Sequence, residues 1–305
     1  MTKAPPRLIA CDVGTNGVRM QVWQAIQKDG EDHLVAEATY RVPVRLGEDV
    51  FASGAISKTS ATHLVHSFHA FAHLKTVFSP RCFRAVATSA MRDAKNGHGL
   101  AEQILSETGI ELEIIDGDEE ANLSLMAHAA NPDLAEGLHL CVDVGGGSTQ
   151  LSVLRDGRSV TRESFKIGAV RLLERKVDDS EWERLQSWLR DLPKGSQPER
   201  GIAVGGNAEK LLELSGGKNH QMSRKELHRL WDELAALSEV DRMLEFGLKP
   251  DRADVIVEAA HIYYQSFKWL DVKDFSVPGT GIREGMVVSM FRDVFHRTPV
   301  LKPAH

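Results

Sequence analysis

Leu138-His-Leu-Cys-Val-Asp-Val-Gly-Gly-Gly-Ser-Thr-Gln-Leu-Ser-Val153 is the stretch around which this chain is organised. A short apolar run ends at Asp143, three glycines follow, then two hydroxyl residues, then a second β-rich run. An apolar run bounded by glycine reads as a buried strand. Consecutive glycines let the backbone reach positive φ and approach a ligand closely. Successive N–H groups in such a turn make a concave anion site. Gly145, Gly146 and Gly147, with the hydroxyls of Ser148 and Thr149, are therefore phosphate-binding candidates. Asp143, at the strand's end, is placed to hold a divalent cation beside a bound phosphate. A strand–turn–strand hairpin differs from the strand–turn–helix of a Walker loop, and the chain has no Gly-x-x-x-x-Gly-Lys-Ser/Thr.

The pattern occurs earlier as well, in Ile9-Ala-Cys-Asp-Val-Gly-Thr-Asn-Gly-Val-Arg-Met-Gln-Val-Trp23. Asp12-Val13-Gly14 stands 131 residues ahead of Asp143-Val144-Gly145. Two such hairpins predict a duplicated α/β domain with one phosphate loop in each copy. Two unrelated β-hairpins are the plainer alternative.

A chain of 305 residues suits about two domains. Hydrophobic content of 42% and charged content of 26% are those of a globular protein. A net charge of −6 gives no basic field to recruit nucleic acid or an anionic membrane. No apolar run approaches 18 residues, so no membrane span is expected, and the N-terminus does not read as a signal peptide. Cys11, Cys82 and Cys141 are widely spaced and flanked by apolar residues. They read as buried strand thiols of a cytoplasmic protein rather than a disulfide framework.

Between the two hairpins, residues 34–44 predict a third strand and residues 55–78 a long helix. His63, His66, His69 and His73 form one stripe of that helix, either a metal site or a solvated face. Residues 82–88 predict a central strand ending in Thr88-Ser89-Ala90-Met91-Arg92. Hydroxyls followed by arginine at a strand-to-helix corner suit an oxyanion, or simply a helix cap with a surface arginine. A helix over 100–107 and a strand over 112–115 lead to Asp116-Gly-Asp-Glu-Glu-Ala121. Acids in a first turn favour the helix dipole, and one facing a phosphate could also orient and deprotonate water. Residues 131–137 read as a linker.

In the second half, residues 159–167 predict a strand, 181–192 an amphipathic helix and 201–204 a strand. Gly205-Gly206-Asn207-Ala208 then opens a helix, fit for a phosphate or for a plain tight turn. Residues 215–221 read as a polar loop. Helices are expected over 223–236, where Ser223 and Glu226 fit a capping box, over 239–246 and over 252–270. The last of these, with Tyr263, Tyr264, Phe267 and Trp269, is either core or a homodimer face. A strand over 272–277 precedes a C-terminal helix whose Arg283 is a further anion-binding candidate.

The element order predicts an α/β protein of two ribonuclease-H-like domains, of the kind shared by actin and sugar kinases, flanking a cleft. They are expected over 1–130 and 131–305, with the final helix free to pack back on the first. At this point the chain resembles the exopolyphosphatase/guanosine pentaphosphate phosphohydrolase (Ppx/GppA) family in its short, two-domain form. The resemblance rests on the two Asp-Val-Gly hairpins, Ala87-Thr-Ser-Ala-Met-Arg92, Asp118-Glu-Glu-Ala121, Ile167-Gly-Ala-Val-Arg-Leu172, Gly205-Gly-Asn-Ala208, Arg252-Ala-Asp-Val-Ile256 and Gly281-Ile-Arg-Glu-Gly285, in the family's order.

The resemblance implies a Mg²⁺-dependent hydrolase of phosphoanhydride bonds acting on inorganic polyphosphate or pppGpp. It implies Glu120 as catalytic base, Arg92 beside it, and Asp143 as the magnesium-binding residue. It places Gly14, Thr15, Asn16, Arg19, Gly145, Gly146, Gly147, Ser148, Thr149, Gly206 and Asn207 at the phosphate. Gln150 stands where the family usually carries Glu, and a neutral amide is a poorer ligand for a hard cation. Related apyrase-type nucleotidases carry Gln there and still hydrolyse. Asn207 stands where Thr is commoner. Two rival readings remain: a (p)ppGpp or polyphosphate sensor with little catalysis, and a small-molecule kinase on the same fold. Lys166, Arg171, Lys210, Lys218 and Arg224 could serve either polyanion.

Overall fold

The structure, a computed structural model, describes residues 4–130, 136–217 and 219–302. The chain begins with strands β1 (Arg7–Gly14), β2 (Gly17–Lys28) and β3 (Glu31–Val42). Helices α1 (Leu46–Ser53) and α2 (Lys58–Phe78), strand β4 (Cys82–Ala87), helices α3 (Ser89–Asp93) and α4 (Gly97–Thr108), strand β5 (Leu112–Ile114) and helix α5 (Gly117–Ala129) follow. The second set runs β6 (Leu138–Val144), β7 (Thr149–Arg155), β8 (Arg158–Phe165), α6 (Ala169–Leu173), α7 (Asp179–Arg190), β9 (Arg200–Val204) and α8 (Gly206–Ser215). It continues through β10 (Gln221–Ser223), α9 (Arg224–Ala235), α10 (Glu239–Phe246), α11 (Pro250–Ala253), α12 (Ile256–Trp269) and β11 (Asp274–Ser276). Helix α13 (Ile282–Phe295) and strand β12 (Val300–Lys302) close the described chain.

Two compact units result: one holds the chain through residue 130 together with Thr280 onward, the other Glu136–Gly279. Residues 131–135 of the expected linker, and Lys218, lie outside the described residues.

The two sheets repeat one plan. The first runs β12-β3-β2-β1-β4-β5 and the second β8-β7-β6-β9-β11-β10. In each, three antiparallel strands pair in sequence and the first of them pairs in parallel with a strand that returns after a helix. This is the ribonuclease-H-like arrangement. The copying reaches single residues. The register of β2 slips at Val22/Trp23 and that of β7 at Val153/Leu154. Each second hairpin closes on an Asp-Gly pair with positive φ at both residues, Asp29-Gly30 and Asp156-Gly157. That is the turn whose twist matches the flanking strands.

Strand β1 shows how the alternation of a buried strand builds two cores. Ile9, Cys11 and Val13 pack with Leu64, Phe68 and Leu100 on one face. Leu8 and Ala10 pack with Leu123, Ala127, Met286 and Phe291 on the other. A strand covered on both faces reads as a continuous apolar run, as this one does. Helix α13 lies against α5 so closely that a Cβ on Gly285 would stand 1.7 Å from the Leu123 carbonyl oxygen.

The expected helix over 252–270 is two helices. Pro250 opens α11, and a turn at Asp254-Val255 separates it from α12. Tyr263 and Phe267 of α12 are buried within their unit. Helix α1 and strands β10 and β12 had no visible period. Each of these strands is three residues long and exists only by pairing with a distant segment.

Candidate active site

In the first unit the β1–β2 turn is fastened from two sides. The Gly47 amide of α1 donates to the Thr15 carbonyl at 2.9 Å, and Arg41 Nη2 of β3 donates to the Asn16 carbonyl at 3.2 Å. A Cβ on Gly47 would meet Thr15 Cγ2 at 2.2 Å, so α1 lies directly on the turn. Neither Gly47 nor Arg41 carried a local sequence signal. Gly14 pairs with Gly17, whose φ is +159°. Two positions back, Asp12 faces Arg19 in the ladder. Asp12 Oδ2 lies 3.5 Å from Arg19 Nη1, and its Oδ1 lies 3.2 Å from Arg283 Nε. Arg283, offered by the first turn of α13, therefore stands beside the first hairpin.

The β4–α3 corner joins the same end of the sheet, because the Thr88 amide donates to the Val13 carbonyl at 3.1 Å. Helix α3 starts without a side-chain cap from Thr88. Arg92 Nη1 donates to the Ile115 carbonyl at 2.7 Å and lies 3.6 Å from Glu120 Oε2.

The acidic run sorts itself by partner. Asp116 caps α5, its Oδ1 accepting from the Glu119 amide at 2.8 Å. Glu119 lies 3.3 Å from Arg84, which also holds Glu113 at 2.8 Å. Those two acids thus serve the helix start and an ion pair, as the dipole reading expects. Glu120 points elsewhere, toward Arg92, with its side chain 14% exposed.

In the second unit the turn is fastened by its own carbonyls. The Gly145 amide donates to the Ser148 carbonyl at 2.9 Å. The Gly145 carbonyl accepts from Ala169, and the Gly146 carbonyl from Val170 and Arg171, at 2.9–3.0 Å. Arg171 Nε adds a bond to the Gly147 carbonyl at 2.9 Å. The turn thus spends its carbonyl acceptors on α6. Gly168 makes this possible: a Cβ there would lie 2.4 Å from backbone atoms of Gly146 and Gly147.

Asp143 faces Gln150 in the ladder, at the position where Asp12 faces Arg19. Gln150 is buried, and its Nε2 donates to Ser148 Oγ at 3.0 Å, which turns its amide oxygen away from the serine. Thr149 is fully buried, and its hydroxyl donates to the Ile167 carbonyl at 2.6 Å. Its side chain locks the hairpin, while its neighbour Ser148 keeps a hydroxyl proton to give. At Gly205, whose φ is +103°, a Cβ would lie 3.4 Å from the Tyr263 hydroxyl and 3.5 Å from Asp143 Oδ1. Burial, and then the nearby Asp143, push the Tyr263 phenol well above its usual range. Gly206 is the first residue of α8, and Asn207 Oδ1 accepts from Arg252 Nη1. That bond ties two of the quoted motifs together.

Among the described residues no three His, Cys, Asp or Glu side chains converge as a metal cluster. His69 of the histidine stripe sits 3.0 Å from Glu107. Mg²⁺ commonly uses one or two carboxylates plus substrate phosphates and water. Asp143 with the Gln150 amide oxygen fits that kind of site, one completed by a phosphate. Asp12, engaged by two guanidiniums, does not. Of the other basic residues, Lys210 pairs with Glu213 and Arg224 with Asp271.

Residues 26–293 match the Ppx/GppA phosphatase family. Exopolyphosphatase 1 of Mycobacterium tuberculosis is 29% identical over 306 residues, covering 92% of this chain and 87% of that protein. The guanosine-5'-triphosphate,3'-diphosphate pyrophosphatase of Vibrio atlanticus is 25% identical, covering 95% of this chain and 60% of its own length. The crystal structure of an exopolyphosphatase from Cytophaga hutchinsonii shares the fold at a TM-score of 0.81 and 21% identity, over 94% of this chain and 98% of that one. With the match running from the end of β2 through the acid-bearing helix and the whole second sheet, well over half of the chain, the chain belongs to the Ppx/GppA phosphatase family.

Proposed function

We propose that this protein hydrolyses the terminal phosphoanhydride bond of inorganic polyphosphate or pppGpp by attack of water, with Mg²⁺ as its cation. The observation that carries the reading is the sorting of the acids. Capping and ion pairing account for Asp116 and Glu119, and Glu120 stands 3.6 Å from Arg92 at the start of α5. An acid beside a phosphate-binding arginine is what general-base hydrolysis requires. Two relatives, an exopolyphosphatase and a guanosine-5'-triphosphate,3'-diphosphate pyrophosphatase, agree with it.

Phosphoryl transfer needs an in-line nucleophile and neutralisation of oxygen charge. The first unit supplies Arg19, Arg92 and Arg283, whose guanidiniums take anionic oxygens in pairs. The Gly14-Thr15-Asn16 turn adds backbone donors. Glu120 aligns the water and accepts its proton, a contribution of roughly 10²–10⁴-fold. The second unit supplies the N–H groups of Gly146, Gly147 and Ser148, and Gly206 at the start of α8. Asp143 and the Gln150 amide oxygen would hold Mg²⁺, which when bound supplies positive charge to offset that on the leaving phosphate.

We place the protein in the cytoplasm, since its three cysteines are free thiols and no helix among the described residues is long and apolar enough to cross a membrane. The test is phosphate release from polyphosphate, pppGpp and ATP with and without Mg²⁺. Metal-dependent release from one of the first two is expected. Tight binding without release on all three would favour a sensor, the reading that Gln150 favours.

A further inference from the structure

Asp12, near the end of β1, touches two arginines. It is 5% exposed, at the end of the most buried strand of its sheet. Two guanidiniums from opposite ends of the chain converge on it: Arg19 Nη1 at 3.5 Å from Oδ2 and Arg283 Nε at 3.2 Å from Oδ1. The Arg283 contact is an ion pair rather than an aligned hydrogen bond, since Oδ1 makes none. Each arginine gives one nitrogen to Asp12, and a guanidinium carries five donors in a fixed fork. Arg19 and Arg283 keep 25% and 18% of their side chains exposed. Without a carboxylate between them, two such cations repel, the more so out of water.

We propose that Asp12 is a positioning residue. It bridges Arg19 and Arg283, cancels their mutual repulsion and sets them as a pair that grips the anionic oxygens of the substrate. Its duplicate, Asp143, faces a neutral amide instead and is not part of this pair. The two aspartates of the repeat thus face different ladder partners, an arginine in the first unit and an amide in the second. The inference rests on the phosphoanhydride reading for what the pair grips, and on the geometry alone for the pair itself.

Simple electrostatics makes the opposite forecast: removing a negative charge near an anion site should tighten anion binding. The two accounts therefore part in sign. The experiment is calorimetric binding of inorganic tripolyphosphate to the full chain, for wild type, Asp12→Asn, Arg19→Met/Arg283→Met and the triple variant. The expected result is about tenfold weaker binding in Asp12→Asn, and no further loss when Asp12→Asn is added to the double arginine variant. Unchanged or tighter binding in Asp12→Asn overturns the proposal. So does an equal loss in the double-arginine background, which is what a general structural defect would give. Asp12→Ser, smaller and still polar, takes the place of the amide if that variant does not fold. A wild-type protein that binds no tripolyphosphate would overturn the phosphoanhydride reading itself, a result distinct from any change among the variants.

Discussion

The two units share one strand order, one slipped register and one Asp-Gly turn, yet their first hairpins are held in opposite ways. In the first, other elements reach in: Gly47 and Arg41 bond the turn's carbonyls, and Arg19 and Arg283 flank Asp12. In the second, the turn spends its own carbonyls on α6 and its arginine, and Asp143 faces an amide. Duplication thus fixed the topology, while the chemistry came from what was placed opposite each aspartate. One half sets two arginines against its aspartate, the other a buried amide beside a glycine turn.

The sharpest contrast between the halves is at the glycines that abut the turns. Gly168 packs on backbone, which cannot rotate away, whereas Gly47 packs on the tip of Thr15. Gly168→Ala should therefore cost about 3 kcal/mol, at the upper end of ordinary overpacking, and take most activity with it. Gly47→Ala should cost about 1 kcal/mol or less, since alanine also favours the helix. Denaturant melts of the two variants check this; equal losses would mean that the turns are held alike.

The halves also respond differently to acid. His128, wholly buried in the first unit with Thr280 at 3.1 Å, has its pKa lowered by burial from 6.5 to about 4. Its folded value lies below its unfolded one, so the unfolded chain takes up a proton first as pH falls. Stability present above pH 6.5 is lost between there and about pH 4, at about 1.4 kcal/mol per pH unit. At pH 5 this is about 2 kcal/mol. His139 of the second unit is shifted the same way, by burial and then Arg200, but less completely buried. His128→Asn should flatten the fall in thermal midpoint between pH 7 and pH 5 more than His139→Asn does. Equal flattening would erase the distinction.

A smaller effect is expected at the second ladder. Gln150→Glu places a second carboxylate beside Asp143 and should lower the half-saturating Mg²⁺ concentration about tenfold, or about 1.4 kcal/mol. An unchanged metal requirement would take position 150 out of the cation site.

Much of this was legible in the chain. Asp12-Val13-Gly14 and Asp143-Val144-Gly145 announced the repeat because an apolar strand ending in a polar glycine turn is a local pattern. The Ser223–Glu226 capping box is present, and α10 spans the residues that its period indicates. What stayed hidden depends on distant partners. The assignment of Glu119 to an ion pair needs Arg84 from a neighbouring strand. The Arg283 partner of Asp12 and the Arg252 partner of Asn207 come from α13 and α11. The burial of the Thr149 hydroxyl follows from the Ile167 carbonyl, which no spacing rule brings to it. Local periodicity shows which residues form a turn, and only the packed sheet shows which of their atoms remain for a ligand.

The central claim is that Glu120, facing Arg92, is the base. The most direct measurement is turnover of polyphosphate by Glu120→Gln alongside its affinity for tripolyphosphate. The account predicts turnover reduced by roughly 10²–10⁴-fold with affinity within about threefold of wild type. Turnover within about twofold of wild type would contradict it.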